Sequence, residues 1–317
     1  MIAYLGLDVG AVSTNLAVLD VNRQVVHHSY LRTEGDPIGS VKRILAEADR
    51  AMLEMEVLCC GTTGSGRYLA AALMGADVVR NEITAHTTAA LHFFPDARTV
   101  IEIGGQDSKI IIVRDGVAVD FAMNTVCAAG TGSFLDYQAS RMGITIEELA
   151  RLARSAPDGV RIAGRCAVFA ETDVIDKQQR GIGRQAILRG LCESLARNFL
   201  SSVGRGKPIE PPVIFQGGVA SNRAVAEAFE KELGIGIRVP QYHDVMGAIG
   251  VALAAGREDL RGRRTKFKGF GVEGEHLRSQ TFECPECSNR CDVIEIFNGM
   301  ALVSRWGSRC GRWDIAE

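Results

Sequence analysis

Short apolar runs separated by polar, glycine-containing turns occupy the first part of the chain. Runs of this kind between turn residues are typical of β-strands. A strand, a polar glycine turn and a hairpin occur in this order from Ala3, and the same order recurs from Thr99. This repetition, although weak, predicts two related α/β domains that face each other across a cleft.

Helical periodicity follows each set of strands. Pro37 favours a helix start, and the apolar positions after it lie on one helical face to about Met55. The later pattern predicts helices at Gly132 to Met142, Thr145 to Ser155, Arg184 to Val203 and Val245 to Ala255. The predicted organisation is a first domain of residues 1–95 and 243–256, a second domain of residues 96–242, a linker of residues 257–274 and a Cys-rich module of residues 275–317.

Composition and charge exclude several classes of protein. A chain of 317 residues with 46% hydrophobic content can bury ordinary cores, and its net charge of −2 argues against nucleic acid or a membrane surface as the main partner. No apolar run approaches the roughly 20 residues of a membrane span. Because a predicted strand follows Met1 directly, we expect no signal peptide and a cytoplasmic location. In that reducing compartment the nine cysteines are expected to be thiols or metal ligands.

Three turns that follow predicted strands are candidates for binding a nucleotide. They are Asp8-Val9-Gly10 with Ser13 and Thr14, Gly104-Gly105-Gln106-Asp107, and Gly217-Gly218 with Asn222. Backbone N–H groups of the first two would bind the phosphate chain, and the bare backbone of the third would let the adenosine approach. A carboxylate beside such a turn can hold Mg²⁺ through water, which makes Asp8 and Asp107 candidate catalytic residues. Turn capping is the alternative role for each of them. The sequence G-x-x-x-x-G-K-[ST] is absent, which excludes a P-loop protein.

In this order the three turns resemble those of the acetate kinase, sugar kinase, Hsp70 and actin superfamily. Two cysteine segments narrow the resemblance: Asn124 to Gly132, which contains Cys127, and Arg165 to Glu171, which contains Cys166. Both segments resemble the ATP-dependent activators of 2-hydroxyacyl-CoA dehydratases, which are ATPases of the BadF/BadG/BcrA/BcrD type. The resemblance covers about residues 1–256.

The resemblance implies two ribonuclease-H-like domains of the actin/Hsp70 type around a nucleotide cleft. It implies a homodimer that hydrolyses ATP with Mg²⁺ and shares one [4Fe–4S] cluster, held by Cys127 and Cys166 of each subunit. The helix after Cys127 would then point its positive end, with spare N–H groups, at the cluster. The implied activity is transfer of single low-potential electrons. The donor would be a ferredoxin or flavodoxin, and the acceptor a 2-hydroxyacyl-CoA dehydratase-like, benzoyl-CoA-reductase-type or double-cubane cluster protein.

The remaining residues of the main domains have simpler alternatives. Cys127 and Cys166 could be buried apolar side chains, but their glycine-rich setting and the resemblance favour metal ligation. We expect core positions for Cys59, Cys60 and Cys192, which lie in a buried strand and an apolar helix.

Three charged or titratable residues also have two readings. Lys109 could reach a phosphate, although a lysine in an alternating strand is more often solvated. Glu82 and His86 could form a metal pair, but a capping or surface role is favoured for them.

The C-terminal cysteines flank a predicted hairpin. Asn298-Gly299 between apolar runs predicts its turn. Counting outward from this turn places Cys310 beside Cys287, so that four thiolates would converge; they are Cys284, Cys287, Cys291 and Cys310. So small a module needs a metal in place of a core. The knuckle-and-hairpin form slightly favours zinc, with a second iron–sulfur cluster as the alternative. This module departs from the short activators.

Two other functions remain open at this point. One is a small-molecule kinase of the same superfamily, which would need a catalytic base facing the γ-phosphate and would not need Cys127 or Cys166. The other is an Hsp70- or actin-like binding module that uses ATP as a switch. It would need a surface for a peptide or a filament neighbour.

Overall fold

The computed structural model describes residues 2–52, 55–258, 264–272 and 277–316. The chain forms two units, one of Met1–Ala89 with Gly247–Glu317 and one of Ala90–Met246. The boundaries expected from the sequence, after residue 95 and before residue 243, both fall within the second unit. No helix among the described residues is both long enough and apolar enough to cross a bilayer.

The first unit contains a five-stranded sheet. Its strands are β1 (Ile2–Val9), β2 (Ser13–Asp20), β3 (Val25–Arg32), β4 (Glu56–Thr63) and β5 (Val78–Val79), and its helices are α1 (Pro37–Ala51), α2 (Arg67–Met74) and α3 (Glu82–Phe93), the last of which continues into the second unit. The strand order is β3-β2-β1-β4-β5. Strands β1 to β3 are antiparallel neighbours, whereas β4 runs parallel to β1. Apolar side chains of β1, β2, α1 and α2 form the core.

Helix α1 shows how local sequence sets an element boundary. The side chain of Asp36 accepts a hydrogen bond from the Gly39 N–H, and Pro37 occupies the first turn. Both features are typical of a helix start. The helix ends at Ala51, before the predicted end at Met55, and residues 53–54 lie outside the described residues.

The second unit repeats this arrangement. Its strands are β6 (Thr99–Ile103), β7 (Ser108–Arg114), β8 (Val117–Asn124), β9 (Val213–Gln216) and β10 (Ile237–Arg238), and its helices are α4 (Gly132–Arg141), α5 (Ile146–Ser155), α6 (Ala167–Gln179), α7 (Arg184–Ser202) and α8 (Arg223–Leu233). Read from the other end, the strand order β8-β7-β6-β9-β10 matches the order β3-β2-β1-β4-β5 of the first sheet. Strands β6 to β8 are antiparallel neighbours, and β9 runs parallel to β6. The predicted internal repeat is therefore confirmed. Helix α6 was missing from the prediction.

After helix α9 (Met246–Ala255), the chain forms a third sheet. Its four strands are β11 (Leu277–Glu283), β12 (Asp292–Asn298), β13 (Ala301–Trp306) and β14 (Ile315–Ala316). They are antiparallel neighbours in sequence order. The predicted hairpin is present, but Asn298 pairs with Ala301, so Gly299 and Met300 form its loop.

The hairpin register that was expected to place Cys310 beside Cys287 is wrong for two reasons. The hairpin loop is centred one residue later than expected, and the register shifts again because Ile296 pairs with Ser304 while Phe297 pairs with Leu302. Val303 is therefore an extra residue in β13, as in a β-bulge. Neither displacement can be counted from the turn sequence alone.

The described part of the predicted linker packs against the first unit. Phe267 and Phe270 contact each other edge to face at 5.1 Å, and both pack on the core that includes Val272. The Lys266 N–H and the Thr265 hydroxyl donate to the carboxylate of Asp77, at 2.7 and 2.6 Å. This segment is therefore fastened to the first unit. Linker residues 259–263 and 273–274 and module residues 275, 276 and 317 lie outside the described residues.

Candidate functional site

The first candidate turn follows β1. Asp8 pairs with Asn15 of β2 and with Thr63 of β4, and the Gly10 N–H donates to the Ser13 carbonyl at 2.8 Å. Two neighbouring strands therefore fix the backbone at Asp8. The predicted ligand Thr14 lies beneath this turn rather than on it.

The hydroxyl of Thr14 is fully buried and hydrogen-bonds to those of Thr33 and Ser40, at 3.0 and 2.8 Å. The Thr33 hydroxyl in turn donates to the Gly10 carbonyl at 3.0 Å. Thr14 thus supports the turn through a buried hydroxyl network, and the structure does not place it as a phosphate ligand.

The turn between β4 and α2 lies directly against Asp8. A Cβ atom at Gly64, whose φ is +91°, would lie 2.5 Å from Asp8 Oδ1 and 2.4 Å from the Val9 carbonyl oxygen. The Gly66 N–H donates to the same carbonyl at 2.8 Å. Only glycine combines this conformation with this close approach. The sequence analysis had not assigned this turn to the site.

His86 and Gly247 lie near the other carboxylate oxygen. A Cβ at Gly247 would lie 2.1 Å from Asp8 Oδ2 and 3.3 Å from His86 Nε2. His86 is only 6% exposed, so a surface role for it is wrong. The first turn of α9 and a buried imidazole of α3 therefore enclose the carboxylate of Asp8.

The second candidate turn, after β6, contains a buried charge cluster. Lys109 is 1% exposed, and its Nζ donates to Glu102 Oε2 at 2.9 Å and to Asp107 Oδ1 at 2.8 Å. The expectation of a solvated lysine is wrong. A buried ammonium needs such partners because its desolvation would otherwise be costly. Lys109 thus holds the carboxylate of Asp107 in one position.

The third candidate turn is joined to this cluster. A Cβ at Gly217 would lie 2.7 Å from Glu102 Oε1, and the Gly217 N–H donates to the His243 carbonyl at 2.7 Å. Gly105 and Gly218 are half-buried, and Gln106 is exposed. Glu102 therefore contacts both the turn after β9 and the lysine that holds Asp107.

Asn222 has a role inside the fold. Its side chain accepts the Ala224 N–H at 3.0 Å at the start of α8, and it is 3% exposed. Its Nδ2 lies 3.7 Å from the sulfur of Cys192. The structure places this predicted nucleotide ligand as a helix cap against the core.

The cysteine loop of Cys127 is linked directly to the second turn. The first N–H groups of α4, from Gly132 and Ser133, donate to the carbonyls of Gly104 and Gly105 at 2.9 and 2.8 Å. These N–H groups are not spare, which corrects the expectation that they point at sulfur. Any displacement of the Gly104–Gly105 backbone would instead reach the loop that carries Cys127.

The Cys127 loop is held in one conformation by Asn124. Asn124 Oδ1 accepts hydrogen bonds from the N–H groups of Val126 and Cys127 at 3.2 and 2.9 Å, and Asn124 Nδ2 donates to the Cys127 carbonyl at 2.7 Å. Cys127 is exposed and Cys166 is half-buried. Each of them immediately precedes a helical segment. Neither is the buried apolar side chain that the alternative required.

One side chain of α7 contacts both cysteine loops. Asn198 Nδ2 donates to the Gly164 carbonyl at 2.6 Å, two residues before Cys166 in the chain. Asn198 Oδ1 lies 2.7 Å from the point that a Cβ at Gly130 would occupy, just after Cys127. The fold therefore brings the two cysteine loops together around Asn198.

The other cysteines of the main domains are core residues, as expected. Burial raises the pKa of the Cys59 thiol to about 12 and that of Cys192 to about 12. Burial also raises the pKa of Cys60. These thiols stay protonated at neutral pH and are poor metal ligands.

The C-terminal cysteines form part of a knuckle-like turn. The Cys284 N–H donates to the Cys291 carbonyl at 2.8 Å, and the Arg290 N–H donates to that of Cys287 at 3.2 Å. The buried sulfur of Cys284 accepts the indole N–H of Trp313 at 3.2 Å. Within the described ranges, no three His, Cys, Asp or Glu side chains converge as a metal site. Metal binding by the four C-terminal cysteines stays a prediction.

Sequence reasoning missed Glu102 and Asn198, and it did not place His86 beside Asp8. Glu102 had a usable signal, because an acidic residue inside the apolar strand Thr99–Ile103 needs a buried partner. The sequence signal for Asn198 was weaker: it is a polar residue in a largely buried helix. Nothing in the sequence joins His86 to Asp8, since their proximity arises only from the packing of α3 and α9.

Comparison with known proteins identifies a family. The model of the BadF/BadG/BcrA/BcrD ATPase family matches residues 5–255. The (R)-2-hydroxyglutaryl-CoA dehydratase activating ATPase of Acidaminococcus fermentans is 33% identical over 252 residues, which cover 79% of this chain and 96% of that protein. The activator of lactoyl-CoA dehydratase of Anaerotignum propionicum is 34% identical over 253 residues, with 79% and 96% covered.

A solved structure supports the same likeness. The activator of the 2-hydroxyisocaproyl-CoA dehydratase from Clostridium difficile, with bound ADPNP, has a TM-score of 0.74 and 30% identity, and the alignment covers 80% of this chain and 94% of that one. The predicted family resemblance is confirmed. The residues after 255 lie outside the family match.

Proposed function

This chain belongs to the BadF/BadG/BcrA/BcrD ATPase family, and from that premise we propose that it couples ATP hydrolysis to the transfer of single low-potential electrons to a partner enzyme. One observation carries the proposal. The backbone of the Gly104–Gly105 turn is hydrogen-bonded to Gly132 and Ser133, which directly follow the loop of Cys127. A change in the phosphates at this turn would therefore be felt at a cysteine loop.

The nucleotide part of the proposal assigns roles to two carboxylates. Asp8 and Asp107 would each hold Mg²⁺ through water, because hard oxygen ligands suit that ion. Lys109 keeps Asp107 in place through Oδ1. The backbones of Gly10, Gly104, Gly105, Gly217 and Gly218, with the side chains of Ser13 and Gln106, contact the nucleotide.

The cysteine part requires a second copy of the chain. Cys127 and Cys166 are accessible thiols on two loops joined by Asn198, which fits a metal cluster, but one chain offers only this pair at the two loops. Two copies related by a two-fold axis supply the four thiolates of a [4Fe–4S] cluster, which accepts and releases one electron at a time. Asn124 fixes the shape of the Cys127 loop and Asn198 joins the two loops, so that both thiols would respond together when the turn moves.

The apolar surface around the cysteines supports a homodimer. Val126, Val168 and Phe169 are 96%, 68% and 67% exposed, although all three are large apolar side chains close in sequence to Cys127 or Cys166. Such neighbouring exposed side chains are typical of an interface. In the proposed homodimer they pack against the second copy and exclude water from the thiols.

The partners follow from the relatives. Two of them activate 2-hydroxyglutaryl-CoA and lactoyl-CoA dehydratases by name. We propose an acceptor of the same type, a 2-hydroxyacyl-CoA dehydratase or a related reductase, and a ferredoxin or flavodoxin as the donor.

Two pairs of variants test the proposal. Asp8→Asn and Asp107→Asn should abolish Mg²⁺-dependent phosphate release from ATP while the anaerobically purified protein keeps about four irons per dimer. Cys127→Ser and Cys166→Ser should lose this iron, whereas Cys192→Ala, at a buried core thiol, should retain it. Parental hydrolysis in both aspartate variants would refute the nucleotide assignment. Parental iron in either serine variant would refute the shared cluster.

A further inference from the structure

The part of the chain after residue 255, which the family model does not cover, contacts helix α2 of the first unit. Trp306 of β13 stacks on Tyr68 of α2, with ring centroids 5.5 Å apart and ring planes tilted by 30°. Both side chains are half-buried. This aromatic pair joins a part of the chain that the family model does not cover to the second residue of α2.

The contact continues from Tyr68 to the turn before α2. The guanidinium carbon of Arg67 lies over the Tyr68 ring, 4.7 Å from its centroid. Arg67 Nη1 donates to the Gly64 carbonyl at 3.1 Å. Because a cation is held over the ring and bonded to the turn, a displacement of Tyr68 would pull on the backbone at Gly64.

Gly64 lies directly against Asp8, with no space between them for a side chain. A Cβ atom there would lie 2.5 Å from Asp8 Oδ1 and 2.4 Å from the Val9 carbonyl oxygen. The next hydrogen bond, from the Gly66 N–H to that carbonyl at 2.8 Å, ties the two turns together. A shift of the Gly64 turn must therefore move Asp8 or open a gap beside it.

We propose that the C-terminal module supports the nucleotide turn, with Trp306, Tyr68 and Arg67 as positioning residues for Asp8. The proposal rests on the proposed function, in which Asp8 binds Mg²⁺-ATP. The module thereby sets the affinity of the chain for ATP, and by linkage ATP binding alters the surroundings of Trp306.

The two tryptophans of the chain allow a direct test in the full-length protein. Trp313→Phe leaves Trp306 as the only indole, and its emission should change with added Mg²⁺-ATP in parallel with ATP bound in equilibrium dialysis. Trp306→Phe is the matched control. It leaves Trp313, which contacts Phe282 at 5.3 Å and the sulfur of Cys284 within the module, and its emission should stay constant.

Substitution of Tyr68 tests the same chain of contacts without a probe. Tyr68→Leu should weaken ATP binding about threefold to tenfold, the range that loss of one aromatic pair supplies, with little change in kcat at saturating ATP. Tyr68→Phe keeps the ring and should keep the parental affinity. Tyr30→Leu, on the edge strand β3 two strands from β1, should also bind ATP like the parent.

The outcomes distinguish a failure of this proposal from a failure of the proposed function. If dialysis detects no ATP on the parent, the proposed function is refuted and this proposal falls with it. If ATP binds but the emission of Trp306 stays constant, or if Tyr68→Leu keeps the parental affinity, the support by the module is refuted while the ATPase assignment stands.

Discussion

Lys109 illustrates how much one buried residue can control at this site. Its ammonium group lies between the carboxylates of Glu102 and Asp107 and is 1% exposed. The cluster carries more negative than positive charge, and it contacts both glycine turns of the second unit. Removal of the lysine would leave a buried carboxylate without its counter-charge, which is the costly way to break such a cluster.

We therefore expect Lys109→Met to lower the free energy of unfolding by about 3–5 kcal/mol and to reduce ATP hydrolysis. The control is Lys207→Met, whose Nζ also lies 2.7 Å from an aspartate, Asp120, but on an exposed surface. That variant should unfold like the parent, because exposed pairs contribute little. Urea unfolding and phosphate release measure both quantities. Equal losses in the two lysine variants would contradict the role of burial.

At the scale of elements, regular patterns were predictable and exceptions were not. The strands from Ile2 and Thr99 and the helix from Pro37 follow from apolar patterning and turn residues. The register of the β12–β13 hairpin was mispredicted, because a bulge leaves no reliable mark in a single sequence. Helix α6 (Ala167–Gln179) was missed because it buries only Ala170 and Val174, so its periodicity is weak.

At the candidate site, too, some residues could be predicted from the sequence and others could not. Asp8 and Asp107 stand out in the sequence as acidic residues at glycine turns, and their catalytic role stays a prediction. Thr14 and Asn222 were misassigned, since hydroxyl and amide side chains serve as buried supports and helix caps equally well. The link through Asn198 joins segments far apart in the chain, which only the tertiary structure reveals.

The segment of residues 264–272 is hydrogen-bonded to the carboxylate of Asp77, whose lowered pKa predicts how stability depends on pH. Burial alone would raise the pKa of Asp77, but hydrogen bonds from Lys266 N–H, Thr265 and Cys60 N–H lower it below its ordinary value. A lowered pKa means that the folded state favours the ionised form. This contribution to stability is complete above the unfolded pKa of about 3.9 and is lost as the pH falls through the lower folded value.

We expect Asp77→Asn to destabilise the protein by about 1–3 kcal/mol at neutral pH, because the amide cannot accept all three donors. The difference from the parent should shrink as the pH falls below about 4, where the parent carboxylate also becomes protonated. Thermal unfolding over a pH series measures it. Asp49→Asn, at an exposed position of α1, serves as the control. A difference that stays constant with pH would contradict the assignment to the Asp77 charge.

At the scale of the whole molecule, the extension after residue 255 is part of the first unit. Phe267, Phe270 and Val272 complete its core, and Trp306 reaches α2. The sequence alone predicted a separately folding module on a linker, because basic and glycine-rich composition resembles a tether. The two aromatic residues within that stretch, Phe267 and Phe270, were the signal for packing.

The last prediction concerns the proposed pairing of two chains. A chain with only Cys127 and Cys166 in accessible positions near Asn198 cannot complete a four-thiolate cluster alone, so dimer formation and iron binding should fail together. Phe169 is 67% exposed, and burying it would contribute roughly 1.5–3 kcal/mol, counted twice under two-fold symmetry. We expect Phe169→Ser, with both thiols intact, to weaken the dimer by at least about a hundredfold and to lose iron on dilution. Met300→Ser removes a side chain that is 97% exposed at the hairpin tip and should do neither. Anaerobic sedimentation with iron analysis measures both effects, and a Phe169→Ser protein that sediments as a monomer yet keeps its iron would show that the cluster is not shared.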